Sequence, residues 1–201
     1  MWAMMKANPW TFAIGGVILL AAIVGVIVGV LTKGRWEDRG LMVKDGHPLS
    51  WAKDGIPLPV WYAADIAKGW LDSWVRGADV LNQAAGRPLF LNPVEAPDGL
   101  DLAKPVTGAV VLKDDNGVDP DHGSTELRWD KRDGALLSAV VVLPEAHEDN
   151  AKRDAVALHE AAHALGLDHD EGKDSIMYPS IQDRPQELSG ADKELLRRVY
   201  G

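Results

Sequence analysis

One stretch, His159-Glu160-Ala161-Ala162-His163-Ala164-Leu165-Gly166-Leu167-Asp168-His169, constrains the fold of this chain more than any other. His159 and His163 stand four apart, so a helix projects both imidazoles from one face, a turn apart. Two neutral ring nitrogens held rigidly in this way form a pair of zinc ligands. Glu160 lies beside the first of them, within reach of a water molecule next to the metal, where it can serve as general base. Gly166 can take the backbone conformation that breaks the helix and turns the chain. The turn lets His169 approach the metal from another direction as a third ligand. A surface helix that merely carries histidines accounts for the first pair, but not for a glycine and a third histidine at these positions.

The residues before the motif read as a scaffold for it. Leu58–Tyr62 has the character of a short strand, with Pro59 suited to its start or to an edge. Asp65 can cap a helix running to about Gln83 and closed by Gly86, with Ile66, Trp70, Trp74, Ala78 and Leu81 forming an apolar stripe. That stripe is expected to pack the helix on a sheet rather than to hold a ligand. Arg87–Val94, Val106–Leu112, Thr125–Trp129 and Leu136–Leu143 read as further strands, the last two joined by the turn Asp130–Gly134. Leu136–Leu143 is almost wholly apolar, as in a strand covered on both faces. Asp149 or Asn150 can cap the helix bearing His159. Ser189 and Asp192 form a capping box for a last helix, with Leu188 placed as its staple. The acidic turn Asp114–His122 is compatible with a structural calcium ion, although its spacing fits a solvated turn better than a helix–loop–helix site.

Outside this region, Trp10–Leu31 carries no charge. As a helix it would be about 33 Å long, enough to cross a bilayer core of about 30 Å. Lys33 follows it with no small-residue cleavage signature, so an uncleaved anchor is expected rather than a signal peptide. Gly25 and Gly29 would allow weak pairing of two such helices. The expected organisation is a flank at 1–9, a membrane anchor at 10–31, a Gly- and charge-rich tether at 32–50 and a globular domain at 51–201. Lys33, Arg35, Arg39 and Lys44 outnumber Lys6 and by count would keep the domain in the cytoplasm, whereas a tethered protease is expected to face outward. The domain is therefore expected on the extracytoplasmic side. A formal net charge of −9 argues against nucleic-acid binding, and the absence of cysteine excludes disulfides and thiolate metal sites.

From His159 onward the chain resembles the metzincin metallopeptidases and, among them, the matrixins. The resemblance rests on the extended histidine signature, on Ser175-Ile176-Met177-Tyr178-Pro179, which resembles the Met-turn of that family, and on the ending Leu188-Ser189-Gly190-Ala191-Asp192 through Tyr200-Gly201. It implies an α+β domain with a twisted five-stranded mixed sheet, an antiparallel edge strand, two long helices and a C-terminal helix. By the same resemblance His159, His163 and His169 would bind catalytic zinc. Glu160 would be the general base and later deliver a proton to the leaving amine, and Met177 would form the floor beneath the metal. A protein or peptide substrate would lie antiparallel to an edge strand, Thr125–Trp129. A non-catalytic module stabilised by zinc, or a zinc hydrolase of cell-wall peptides, are the competing readings; Glu160 speaks against the first, since a structural zinc site needs no base. Asp170 stands where matrixins usually have Ser or Thr, and Pro179-Ser180-Ile181 departs from their Pro-x-Tyr. His47, His122 and His147 read as surface residues, and Asp168, Asp170, Glu171 and Asp174 as candidates to orient a ligand histidine.

Overall fold

The computed structural model describes residues 40–115, 117, 122–144, 149–180 and 187–201, which fall within one compact unit, Gly40–Gly201. The expected membrane span at 10–31 with its Gly25/Gly29 pairing face, His147 and Ile181 lie outside the described residues. Among the described residues no helix is long and apolar enough to cross a membrane.

A five-stranded sheet forms the centre, built from β3 (Val60–Tyr62), β4 (Val94–Glu95), β5 (Val110–Asp115), β6 (Ser124–Trp129) and β7 (Leu136–Pro144) in the order β4-β3-β5-β7-β6. The pairs β3/β4, β3/β5 and β5/β7 are parallel, and β6 runs antiparallel to β7. This is the mixed sheet with an antiparallel edge that was expected. In β7 every residue but Leu137 is buried. One face of the sheet meets the helices, and on the other Val111, Val140 and Val142 are covered by Leu102 and Val106. Burial on two sides explains the unbroken apolar run.

Helix α1 (Lys68–Ala85) buries Trp70, Trp74, Ala78 and Leu81, with Trp74 edge-on to Phe90 at 5.5 Å between ring centroids. Its stripe is core, as its spacing implied. Its start differs from the expected one: Ala67, not Asp65, is the N-cap, and the Ala67 N–H donates to Asp114 Oδ2 at 3.0 Å. The helix start has no side-chain cap; a carboxylate from β5 instead holds the N–H of the N-cap residue. Asp115 Oδ1 accepts from Gly117 N–H, so two carboxylates of the acidic turn serve main-chain donors; Asp119 and Asp121 of the same turn lie outside the described residues. Two expected strands are shorter than their sequences suggest. Within 87–94, Phe90 makes an isolated bridge to Leu58 and pairing resumes only at Val94. In the run from Val106, Gly108 turns at φ 77° before β5 begins.

The segment assigned to the tether is partly a piece of the domain. Val43–Lys44 (β1) and His47–Pro48 (β2) form a hairpin around Asp45-Gly46, both at positive φ. That conformation is the one Asp-Gly favours in two-residue hairpins. Leu41 and Leu49 flank the hairpin and enter the core, while Met42 N–H donates to Gly166 O at 2.8 Å and Leu136 N–H to Ser50 O at 2.9 Å. The folded unit therefore begins at Gly40 rather than Trp51.

Helix α2 (Asn150–Ala164), which carries His159 and His163, lies against α1. Gly77 permits the contact, since a Cβ there would sit 3.0 Å from Leu158 Cα. Asp154 of α2 ties the pair, accepting from Ser73 Oγ at 2.6 Å and from Arg76 Nη2 and Nε at 2.6 and 3.0 Å. Burial raises the Asp154 pKa, but hydrogen bonds from Arg76 and Ser73 outweigh it and hold the carboxyl below its ordinary value. A depressed native pKa adds stability that is complete above the unfolded value, about 3.9, and is lost as pH falls through the native one. Asp154→Asn should therefore lower unfolding free energy by about 1–2 kcal/mol at neutral pH and flatten the decline below about pH 4. Urea titrations at pH 7 and pH 3 that leave the difference between wild type and variant unchanged would refute this.

Candidate metal centre

Asp149 starts α2, its side chain accepting from Ala151 N–H at 2.8 Å and Lys152 N–H at 3.4 Å. From Ala155 to Ala164 every residue is buried, including His159, Glu160 and His163. Buried polar groups require partners. His159 Nδ1 lies 2.8 Å from Ile176 O, and His163 Nδ1 lies 2.8 Å from Leu167 O. A carbonyl oxygen only accepts, so both Nδ1 atoms carry the proton and both Nε2 atoms are left with a lone pair.

The helix ends as the glycine implied. Gly166 has φ 89°, and a Cβ there would lie 2.4 Å from Leu49 O. Its N–H returns to His163 O, and Leu167 N–H to Ala162 O. The turn brings His169, which is exposed, back to the helix with its Nε2 3.2 Å from His163 Nε2. Ligand nitrogens of all three histidines lie within 4.8 Å of one another. Two nitrogens on a tetrahedral zinc stand about 3.3 Å apart when each bond is about 2.0–2.1 Å. The donor set fits zinc in type, in tautomer and in spacing at the closest pair.

The orienting groups for the helical imidazoles are main-chain carbonyls rather than the acidic side chains downstream. Asp168 accepts from His169 N–H and Asp170 from Gly172 N–H. Met177 is buried in the core, and its carbonyl accepts from Asp170 N–H at 3.1 Å, joining the Met-turn to the loop after His169. Asp192, expected only in a capping box, has a second task. In helix α3 (Gly190–Tyr200) it accepts from Ser189 N–H at 2.9 Å while its carboxylate also takes Ser175 Oγ at 2.7 Å and Ile176 N–H at 3.2 Å. It thereby fixes the carbonyl to which His159 donates.

Glu160 meets β6 from below. Thr125 Oγ1 lies 2.7 Å from Glu160 Oε2 and 3.2 Å from Glu160 O, and a Cβ at Gly123 would fall 2.5 Å from Glu160 Cγ. These residues share the wall of an open cavity of ≈ 480 Å³ with the three histidines, Met42, His122, Ser124, Asp168 and Pro179. His122 is exposed, as expected of a surface histidine, and stands at the wall of this cavity. Met42 reaches the cavity only because residues 40–50 fold onto the domain. β6, the expected edge strand, has β7 as its sheet partner.

Residues 94–201 match the matrixin family of metallopeptidases. The chain belongs to the matrixin family. It is also similar to Metalloendoproteinase 5-MMP of Arabidopsis thaliana, with 44% identity over 50 residues, which is 24% of this chain and 14% of that relative's length. Among solved structures it aligns with High choriolytic enzyme 1, a hatching enzyme zinc-protease from Oryzias latipes, at 12% identity and a TM-score of 0.35, over 64% of this chain and 54% of that one.

The close approach at Gly166 makes a direct test of how the loop is built. Gly166→Ala should lose roughly 2–4 kcal/mol of stability, from the left-handed backbone and the clash with Leu49 O. Its zinc affinity should fall with it. A loss below about 1 kcal/mol in chemical denaturation would show that the loop has another way to turn.

Proposed function

We propose that the chain is a membrane-anchored zinc endopeptidase. The observation that carries the reading is a buried carboxylate, Glu160, lining one cavity with two imidazoles whose Nδ1 protons are committed to carbonyls. Burying a carboxylate beside a converging set of nitrogen lone pairs is costly for a purely structural helix and suits a hydrolytic one. His159, His163 and His169 would hold the metal. When bound, zinc supplies Lewis acidity toward a peptide carbonyl and lowers the pKa of water. Glu160 takes a proton from the attacking water and returns it to the leaving amine. β6 offers its outer edge to an extended substrate running antiparallel to it, with main-chain hydrogen bonds supplying register and the cavity beside His122 and Met42 supplying side-chain preference. Met177, buried in the core, would form the floor beneath the metal.

Full-length protein incubated with an unbiased peptide library should cleave it, stop with a chelator and recover with zinc. Glu160→Ala should lose about a hundredfold to ten-thousandfold in kcat/KM while retaining zinc. Equal inertness of wild type and the variant across the library would end the endopeptidase reading. Release of cell-wall stem peptides without protein cleavage would move the same chemistry to another substrate.

The uncharged run Trp10–Leu31 supports the anchor, and a proteolytic domain held apart from cytoplasmic proteins supports an outward orientation. In intact cells, added protease should therefore remove the folded domain. Protection until the membrane is permeabilised would place it inside.

A further inference from the structure

We propose that Gly123 and Thr125 form a cradle that positions the Glu160 carboxylate, so that the edge strand sets the aim of the general base as well as receiving substrate. The inference rests on Glu160 acting as that base. Residues two apart on a strand share a face. Along β6, Thr125, Leu127 and Trp129 are half-buried and alternate with exposed Ser124, Glu126 and Arg128, and Leu127 and Trp129 pack on the core that contains α2. Gly123 precedes the strand in the same parity. The two positions treat Glu160 differently. Thr125 has one hydroxyl proton and two acceptors near it, Glu160 Oε2 at 2.7 Å and Glu160 O at 3.2 Å. The shorter contact is to the charged oxygen, which takes the proton. β-Branching restricts the threonine rotamer, so the donor is fixed relative to the strand.

Gly123 acts by what it lacks. A Cβ there would lie 2.5 Å from Cγ, 2.9 Å from Cδ and 3.0 Å from Oε1 of Glu160. Its backbone φ is outside the left-handed region, so the glycine is required by space and not by conformation. The atoms met belong to a flexible side chain. An added methyl would therefore force the Glu160 side chain to turn from Cγ outward and carry the carboxylate with it. One carboxylate oxygen is thus held by a donor and the side chain is closely backed by main chain, at the wall of the cavity that Gly123, Thr125 and the three histidines also line. Thr125 and Gly123 are positioning residues: neither is assigned a contact with substrate.

The test uses full-length wild type, Thr125→Val, Thr125→Ser and Gly123→Ala, read by kcat and KM on a library-derived peptide, by zinc affinity in chelator competition, by thermal unfolding, and by crystal structures. Displacing a catalytic group by about 1 Å can cost about a hundredfold in rate. Thr125→Val should lose about tenfold to a hundredfold in kcat with KM, zinc affinity and melting little changed. Thr125→Ser should recover to within about threefold of wild type. Gly123→Ala should lose kcat to a similar extent although its hydroxyl donor is intact. In the structures, the carboxylate should stay beside residue 125 in wild type and Thr125→Ser and leave it in the other two. The inference is overturned if Thr125→Val keeps wild-type kcat, if Thr125→Ser is as impaired as Thr125→Val, or if zinc affinity falls in parallel with rate. An inert wild type would sink the endopeptidase reading instead, and the carboxylate's placement in the four structures would still decide for or against the cradle.

Discussion

The hydrogen bonds from His159 Nδ1 to Ile176 O and from His163 Nδ1 to Leu167 O are the constraint on which the site depends. Imidazoles buried in a helix can present either nitrogen, and only the partner of one decides what the other offers. Main-chain carbonyls decide it here with no proton to exchange. Each carbonyl must itself be held. Leu167 is placed by the Gly166 turn and its N–H bond to Ala162 O, and Ile176 by the carboxylate of Asp192 from another helix. The first imidazole is therefore oriented through a path that starts at the N-terminus of α3. This makes the C-terminal helix part of the candidate metal centre, not merely a cover for the core.

The two ends of the folded unit converge on the end of α2, where its last carbonyls need partners. Trp51 Nε1–H donates to Ala164 O at 2.8 Å, and the Tyr200 hydroxyl donates to Leu165 O while accepting from Trp51 N–H at 3.3 Å. Tyr200 is wholly buried, and burial pushes its hydroxyl pKa up, so it stays a donor across the accessible pH range. One residue farther on, Met42 N–H takes Gly166 O, and Asp168 N–H takes Gly40 O. Residues near positions 40, 50 and 200 thus satisfy successive groups between Ala164 and Asp168. The ligand loop is supported along its main chain, which lets His169 be exposed without being loose.

Much of this could be read in advance because it is local. The i, i+4 histidines, the stripe from Trp70 to Leu81, the Ser189–Asp192 box and the apolar β7 each express a rule that acts within a few residues. What escaped was long-range. Asp114 reaches the start of α1 because a strand brings its carboxylate to Ala67 N–H, and spacing along the chain carries no trace of that. Asp192's hold on Ser175 and Ile176 is hidden behind its local cap for the same reason. The hairpin at 43–48 is a different case. Asp45-Gly46 between Leu41 and Leu49 is a turn between apolar residues, but Gly and charge in the same window read equally well as a linker. His122 reads as a surface residue and is exposed; its place beside the cavity has no periodic signal, since only the return of β6 to α2 brings it there.

In the proposed reading strand β6 would serve two demands without conflict. A strand's hydrogen-bonding groups lie in the plane of the sheet, while its side chains stand perpendicular to that plane. Pairing with β7 uses one edge, and an added peptide would use the other. The face toward α2 is independent of both and carries Thr125, with Gly123 just ahead of it. Because the pleat fixes the parity, a register slip of one residue would turn Thr125 outward and bring Ser124 in, changing the contact to Glu160 and the substrate register together. The nine-residue pairing partner β7, buried on both faces, resists that slip. The strand that the apolar pattern makes least able to move is the one against which the edge, and through it the carboxylate, is registered.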